Sequence, residues 1–133
     1  MIDEKTCREM FRIANDVLKN AYPNGKGFAV AVLTNKKNIY AGASYKSDTY
    51  TLTMHSEAVA LAHAAVHGET EIIAITGPNC HICKQLIYEN SLRSGIDTLI
   101  IFEEEGKIKQ IPISQMMPYP WPTEPTEKDN KKF

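Results

Sequence analysis

From Asp3 to about Ala21 apolar residues recur at Met10, Phe11, Ile13, Ala14, Val17, Leu18 and Ala21, the stripe of an amphipathic helix that stops before Pro23-Asn24-Gly25. The pattern then changes period. FAVAVLT and NIYAGA, joined by the polar NKK, predict a two-stranded hairpin. Lys46 to Thr53 is polar and hydroxyl-rich and predicts a connecting loop. That loop delivers the chain to TMHSEAVALAHAAVHG, Thr53 to Gly68, an alanine-rich helix that opens with His55 and Glu57 before its first aliphatic residue. Glu71 to Thr76 predicts a short buried strand, followed by GPN and a further helix from Cys80 to about Ser94, ended by Gly95. DTLIIF and KIKQIPI add two strands, and Ser114 to Met117 a last helical turn.

Size and charge narrow the function classes. A chain of 133 residues supports one hydrophobic core and not two. A formal net charge of -1 offers no electrostatic footprint for nucleic acid or for an anionic membrane surface. The opening MIDEKTCREMF carries acids rather than the apolar core of a signal peptide, and no later stretch approaches the ~20 apolar residues of a membrane span, so a cytoplasmic protein is expected. The domain is expected over residues 1–121. From Pro122 the tail PTEPTEKDNKKF, residues 122–133, is proline-rich and charged and is expected to be mobile.

The three cysteines, Cys7, Cys80 and Cys83, do not suggest a disulfide framework, but two of them stand at CxxC spacing. At the start of a helix that spacing puts both sulfurs on one side of the first turn, where free amide groups favour thiolate. Metal ligation, redox chemistry and coincidence are all open readings of a CxxC alone. His55 and Glu57, two apart, serve one site only at a helix end, where side chains curl forward over the terminus; His55 is at such an end. If the two helices lie side by side on one face of the sheet, His55, Cys80 and Cys83 converge. Three nitrogen and sulfur ligands leave one tetrahedral position open, as in catalytic zinc sites. Glu57, an acid that does not bind the metal, then stands ready to take a proton from water and pass it to a leaving group. Read singly, each residue has a plainer role: a histidine at a helix start is usually a capping or surface group, as His63, His67 and His81 are expected to be, and a first-turn glutamate usually serves the dipole. HxE at one helix start and CxxC at the next, one strand apart, makes the joint reading the stronger.

HSE followed by CHIC resembles the zinc deaminase signature H-x-E then P-C-x-x-C. Within that superfamily the chain resembles the cytidine deaminases acting on free nucleosides, including the blasticidin S deaminases. FAVAVLTNKKNIYAG resembles the family's opening hairpin, YTLTMHSE its Tyr-Pro-Leu-Thr-Val-Cys-Ala-Glu run, CHICKQL its Cys-Gly-Ala-Cys-Arg-Gln-Val, and MMPYPW its closing Leu-Leu-Pro-x-x-Phe. The resemblance covers roughly the whole chain up to Trp121. It implies an α/β fold, a three-layer α-β-α sandwich with a five-stranded mixed sheet. It implies zinc (Zn2+) on His55, Cys80 and Cys83, proton transfer by Glu57, and the Ser56 amide facing a carbonyl of the substrate ring. The implied reaction is hydrolytic loss of ammonia from an amino-bearing ring carbon. Homo-oligomers, dimers or tetramers, and a small-molecule substrate follow from the same likeness.

The departures from the family are specific. Many members use three cysteines and carry an arginine just after the glutamate; here the third ligand is His55 and the next residue is Ala58, two changes that agree electrostatically. The family's ribose-binding Asn-x-Glu becomes Ser44 and Lys46, so these two candidate substrate contacts predict a pocket poor for plain cytidine and better for an anionic analogue. Lys26 falls near the family's aromatic position, Asn79 widens the Pro-Cys junction, and a shorter loop before the CxxC helix predicts a more open rim. Lys26 and Lys46 read either as solvated surface charges or as phosphate contacts. Two other function classes compete: a thioredoxin-like oxidoreductase using Cys80 and Cys83, with Ile111-Pro112 facing the pair, and a deaminase-fold protein that binds zinc without turnover.

Overall fold

The computed structural model describes residues 1–125 and 127, so most of the expected tail lies outside the described residues. Helix α1 runs Glu4–Leu18, started by Asp3, whose carboxylate accepts the Thr6 amide at 2.8 Å. Such a cap stabilises a helix by about 1 kcal/mol. Its buried residues Cys7, Met10 and Ala14 fall three and four apart, the spacing of one helix face. The opposite face carries Arg8 and Arg12, paired with Glu4, Glu9 and Asp16. The helix ends three residues before the apolar stripe does. Ala21 is buried not by helix but by a turn in which its own carbonyl accepts the Gly25 amide.

Strands β1 (Ala29–Thr34) and β2 (Ile39–Ala43) form the expected hairpin, in register from Ala29 opposite Ala43 to Leu33 opposite Ile39. Strand β3 (Ile72–Thr76) lies antiparallel to β1 on its other side. Strand β4 (Leu99–Glu104) is parallel to β3, and β5 (Lys107–Pro112) antiparallel to β4. The sheet order is β2-β1-β3-β4-β5, a five-stranded mixed sheet. A parallel neighbour needs a crossover. Helix α3 (His81–Ser94) supplies it between β3 and β4.

Alternation along β1 sorts the core into two layers. Ala31 and Leu33 pack with Cys7, Met10 and Ala14 of α1, while Val30 and Val32 pack with Ala60 and Ala64 of α2 (Ser56–Val66) and Ile87 of α3. With α1 on one face and α2 and α3 on the other, the architecture is the three-layer α-β-α sandwich. Helix α2 approaches the hairpin closely because Gly42 of β2 is buried against its backbone: a Cβ there would lie 2.7 Å from the Ser56 carbonyl oxygen and 2.8 Å from the Ala60 Cα. The loop expected over Lys46 to Thr53 contains one 3-10 turn, Tyr50–Leu52, and a second, Ile113–Met116, follows β5.

At the far end of α2, Glu69 is buried beneath the hairpin. Its carboxylate accepts from the Thr34 hydroxyl at 2.5 Å, from the Asn38 amide at 2.9 Å and from the Tyr40 hydroxyl. These donors, Thr34 first and Tyr40 next, hold its carboxyl below the usual range. At the other end of the molecule, Gln85 donates to the Trp121 carbonyl at 2.8 Å and the Tyr88 hydroxyl to that of Pro122 at 2.7 Å, holding the described start of the tail against α3.

Candidate metal and active site

Two helix starts and the end of one strand meet at a single edge of the sheet. His55 is the N-cap residue of α2 with extended backbone, and its ring makes no capping bond to the helix. Cys80 caps α3, its sulfur accepting the Cys83 amide at 3.4 Å, and Cys83 follows in the first turn. The fold brings the three together: His55 Nδ1 lies 3.2 Å from Cys83 Sγ and 3.6 Å from Cys80 Sγ, and all three ligand atoms fall within 4.8 Å of one another. Tetrahedral zinc, with bonds of about 2.0 Å to nitrogen and 2.3 Å to sulfur, sets a nitrogen–sulfur separation of about 3.5 Å. The two observed nitrogen–sulfur distances lie on either side of that value, so the donor set fits the ion. Burial, the Cys80 hydrogen bond and the negative Glu57 push the Cys83 thiol well up. A divalent cation at that spot reverses the preference, because it stabilises thiolate directly.

Beside this cluster opens a cavity of about 650 Å³ lined by His55, Ser56, Glu57 and Cys80 from the two helix starts. Gly77 to Asn79 closes one wall, and Phe28, Ser44 and Lys46 from the hairpin side form the other. Glu57 is 6% exposed, yet neither carboxylate oxygen is without a partner. Oε1 accepts from the Ser56 hydroxyl at 2.8 Å and Oε2 from the Asn79 side-chain amide at 2.9 Å. A buried carboxylate so held keeps one orientation, as a group that must meet a proton at a fixed place requires.

Ser44 and Lys46 both line this cavity, but differently. The Ser44 hydroxyl oxygen accepts the Phe28 amide at 3.0 Å, and Gly27 has no Cβ to crowd it. Lys46 is exposed, and neither it nor Lys26 makes an ion pair among the described residues. The other histidines stay outside the site. His63 and His67 are exposed on α2, with Nδ1 of His63 on the Ala41 carbonyl and Nδ1 of His67 on that of His63, each at 2.9 Å, and His81 is exposed at the start of α3. Cys7 is a packing residue on the buried face of α1.

Two cavity residues were not assigned a role from sequence. Phe28 reads as strand, yet it stands just before β1 and is 76% exposed on the cavity wall. Asn79 reads as an insertion before Cys80, yet it is buried and bonded to Glu57. The available signal was its position, an amide side chain directly ahead of a helix cap where the family resemblance has proline adjoining cysteine.

Residues 4–101 match the family described as the cytidine and deoxycytidylate deaminase zinc-binding region. The fold is similar to that of cytidine deaminases from Burkholderia pseudomallei (20% identity, 84% of this chain and 96% of that one, TM-score 0.68) and Mycobacterium tuberculosis (17%, 91% and 98%, TM-score 0.68). A cytidine deaminase from Bacillus anthracis is similar at 15% identity, 86% and 89% coverage and TM-score 0.65. None of the curated proteins compared with the chain matches it. Family and fold displace the thioredoxin-like alternative, and the family's zinc-binding region together with the His55, Cys80 and Cys83 group identifies the cofactor as zinc. The chain belongs to the cytidine and deoxycytidylate deaminase zinc-binding family.

Proposed function

We infer that the protein is a hydrolytic deaminase that converts an amino-bearing pyrimidine, in a nucleoside, nucleotide or analogue, to its keto form with release of ammonia. The observation that carries this reading is the buried Glu57 carboxylate, anchored at both oxygens, on the wall of the cavity that also meets His55 and Cys80. His55, Cys80 and Cys83 hold the zinc. When bound, the ion supplies Lewis acidity that makes water a competent nucleophile near neutral pH. Glu57 takes the proton from that water at one carboxylate oxygen and delivers it toward the departing nitrogen. Ser56, buried at the first turn of α2, presents its amide to the ring carbonyl while its hydroxyl holds Glu57. The exposed Phe28 ring offers an apolar face for a base.

The substrate class follows from the rim. Lys46, cationic and unpaired among the described residues, stands where a neutral-sugar enzyme of the resemblance carries a carboxylate, which favours a phosphorylated or otherwise anionic ligand. A cytoplasmic location and a place in pyrimidine metabolism accord with this chemistry. A homo-oligomer accords with exposed apolar side chains on the loop before α2 and the first turn of α3, Tyr50 at 80%, Leu52 at 68% and Ile82 at 75% exposed. Elemental analysis should give about one zinc per chain, lost in Cys83→Ser. Ammonia release across cytidine, deoxycytidine, their monophosphates, cytosine and blasticidin S tests the reaction. A fully stable protein that takes up no zinc and releases no ammonia from any of them contradicts the reading.

A further inference from the structure

Asn79 is buried to 6% exposure on the cavity wall, directly before the capping Cys80. Its Nδ2 donates to Glu57 Oε2 at 2.9 Å and to the Thr76 carbonyl at 3.1 Å. Both partners are acceptors. The orientation of the amide is therefore fixed by chemistry, since the flipped group would turn its carbonyl oxygen onto a carboxylate and a peptide oxygen. Oδ1 is left buried with no donor among the described residues. Buried acceptors rarely stay unpaired in a native protein, and one at the wall of a ligand cavity calls for a donor on the ligand. Gly77 accommodates that oxygen, because a Cβ there would sit 2.7 Å from it.

The amino group of an aminopyrimidine carries N–H donors. Its keto product offers an acceptor at the same ring position. On the deaminase reading above, we propose that Asn79 is the specificity-determining residue for the leaving group: Oδ1 accepts an N–H of the substrate's amino group while Nδ2 anchors Glu57 beside it. In the hydrolysis, water oxygen bonds to the ring carbon and the carbon–nitrogen bond breaks; one water proton leaves with the amino nitrogen as ammonia, and the other ends on the neighbouring ring nitrogen. The ring then holds a carbonyl oxygen, which faces Oδ1 acceptor to acceptor. Asn79 is unchanged, and it disfavours the product it has helped to release.

Zinc-loaded wild type, Asn79→Ala and Asn79→Asp are compared for cytidine and deoxycytidine turnover, for their monophosphates, and for inhibition by the matching uridine compounds. Alanine removes both the anchor and the acceptor. It should lower kcat about tenfold and bring the ratio of product Ki to substrate KM down by about tenfold or more. Aspartate keeps an acceptor toward the ligand but sets a carboxylate against Glu57, so it should lose kcat and retain the amino-over-keto preference. Crystals of zinc-loaded Glu57→Gln with the best amino compound give an answer independent of turnover: Oδ1 should lie within about 3.2 Å of the exocyclic nitrogen. An Oδ1 that meets protein or solvent instead, or an alanine variant with undiminished discrimination, overturns the assignment while leaving the deaminase reading intact. A zinc-loaded wild type that releases no ammonia from any of these compounds overturns both.

Discussion

Replacing Gly42 by alanine tests how the site is held. Gly42 is buried in β2, and the three atoms nearest the added methyl are all backbone: the Ser56 oxygen at 2.7 Å, the Ala60 Cα at 2.8 Å and, closer still, the Ala60 nitrogen. Ordinary contact begins at 3.4 Å, and none of these three atoms is the yielding end of a flexible side chain. Ser56 and Ala60 are four apart, so the methyl lands on the first hydrogen-bonded turn of the helix that carries His55, Ser56 and Glu57. Relief requires the start of α2 to retreat from the sheet by roughly 1 Å, and overpacking of this kind destabilises by about 1–3 kcal/mol. A displacement of that size at a catalytic carboxylate lowers turnover by about 10²-fold. Urea unfolding and steady-state ammonia release on zinc-loaded Gly42→Ala read the two effects separately. A variant as stable and as active as wild type refutes the close approach of α2 to β2 and the claim that it positions Glu57.

Glu69→Gln should be less stable than wild type at neutral pH. The Thr34, Tyr40 and Asn38 bonds depress the folded-state carboxyl, so its contribution is present above the unfolded carboxylate range and disappears as pH falls through the lower folded value. The difference in urea midpoints should therefore close on acidification; one that stays constant with pH argues that the charge is not what those donors stabilise. The double variant Ser44→Asn, Lys46→Glu should raise kcat/KM for cytidine by about ten- to a hundredfold and lower it for the monophosphate, since a sugar hydroxyl regains a partner. Efficient cytidine turnover by wild type, unimproved in the double variant, would show that other residues hold the sugar.

Which parts of this structure were legible beforehand follows from which forces are local. The hairpin and the other three strands show as short apolar-rich runs between turn residues, and the starts of α2 and α3 in the residues beside them. The nearness of His55 to Cys80, 25 positions apart, depends on both helices lying on one sheet face with their starts at one edge, a condition that the motif spacing suggests and the family resemblance supports. The end of α1 was misread because Ala21 continues the apolar stripe, although a turn rather than a helix buries it. The 3-10 turn at Tyr50–Leu52 left no trace in a hydroxyl-rich loop. Asn79 and Gly42 were illegible for a shared reason. Each matters through one long-range contact, with Glu57 and with the α2 backbone respectively, that no periodicity records.

The central claim is that Glu57 moves the proton and does not hold the metal. Zinc content and ammonia release measured on the same preparation of Glu57→Gln test it directly. The amide preserves the shape and can still meet the Ser56 hydroxyl and the Asn79 amide, but it cannot take a proton from water. The account predicts about one zinc per chain, an unchanged melting temperature and turnover lowered by about 10²- to 10⁴-fold. Wild-type turnover in that variant, or a zinc-free protein, would contradict it.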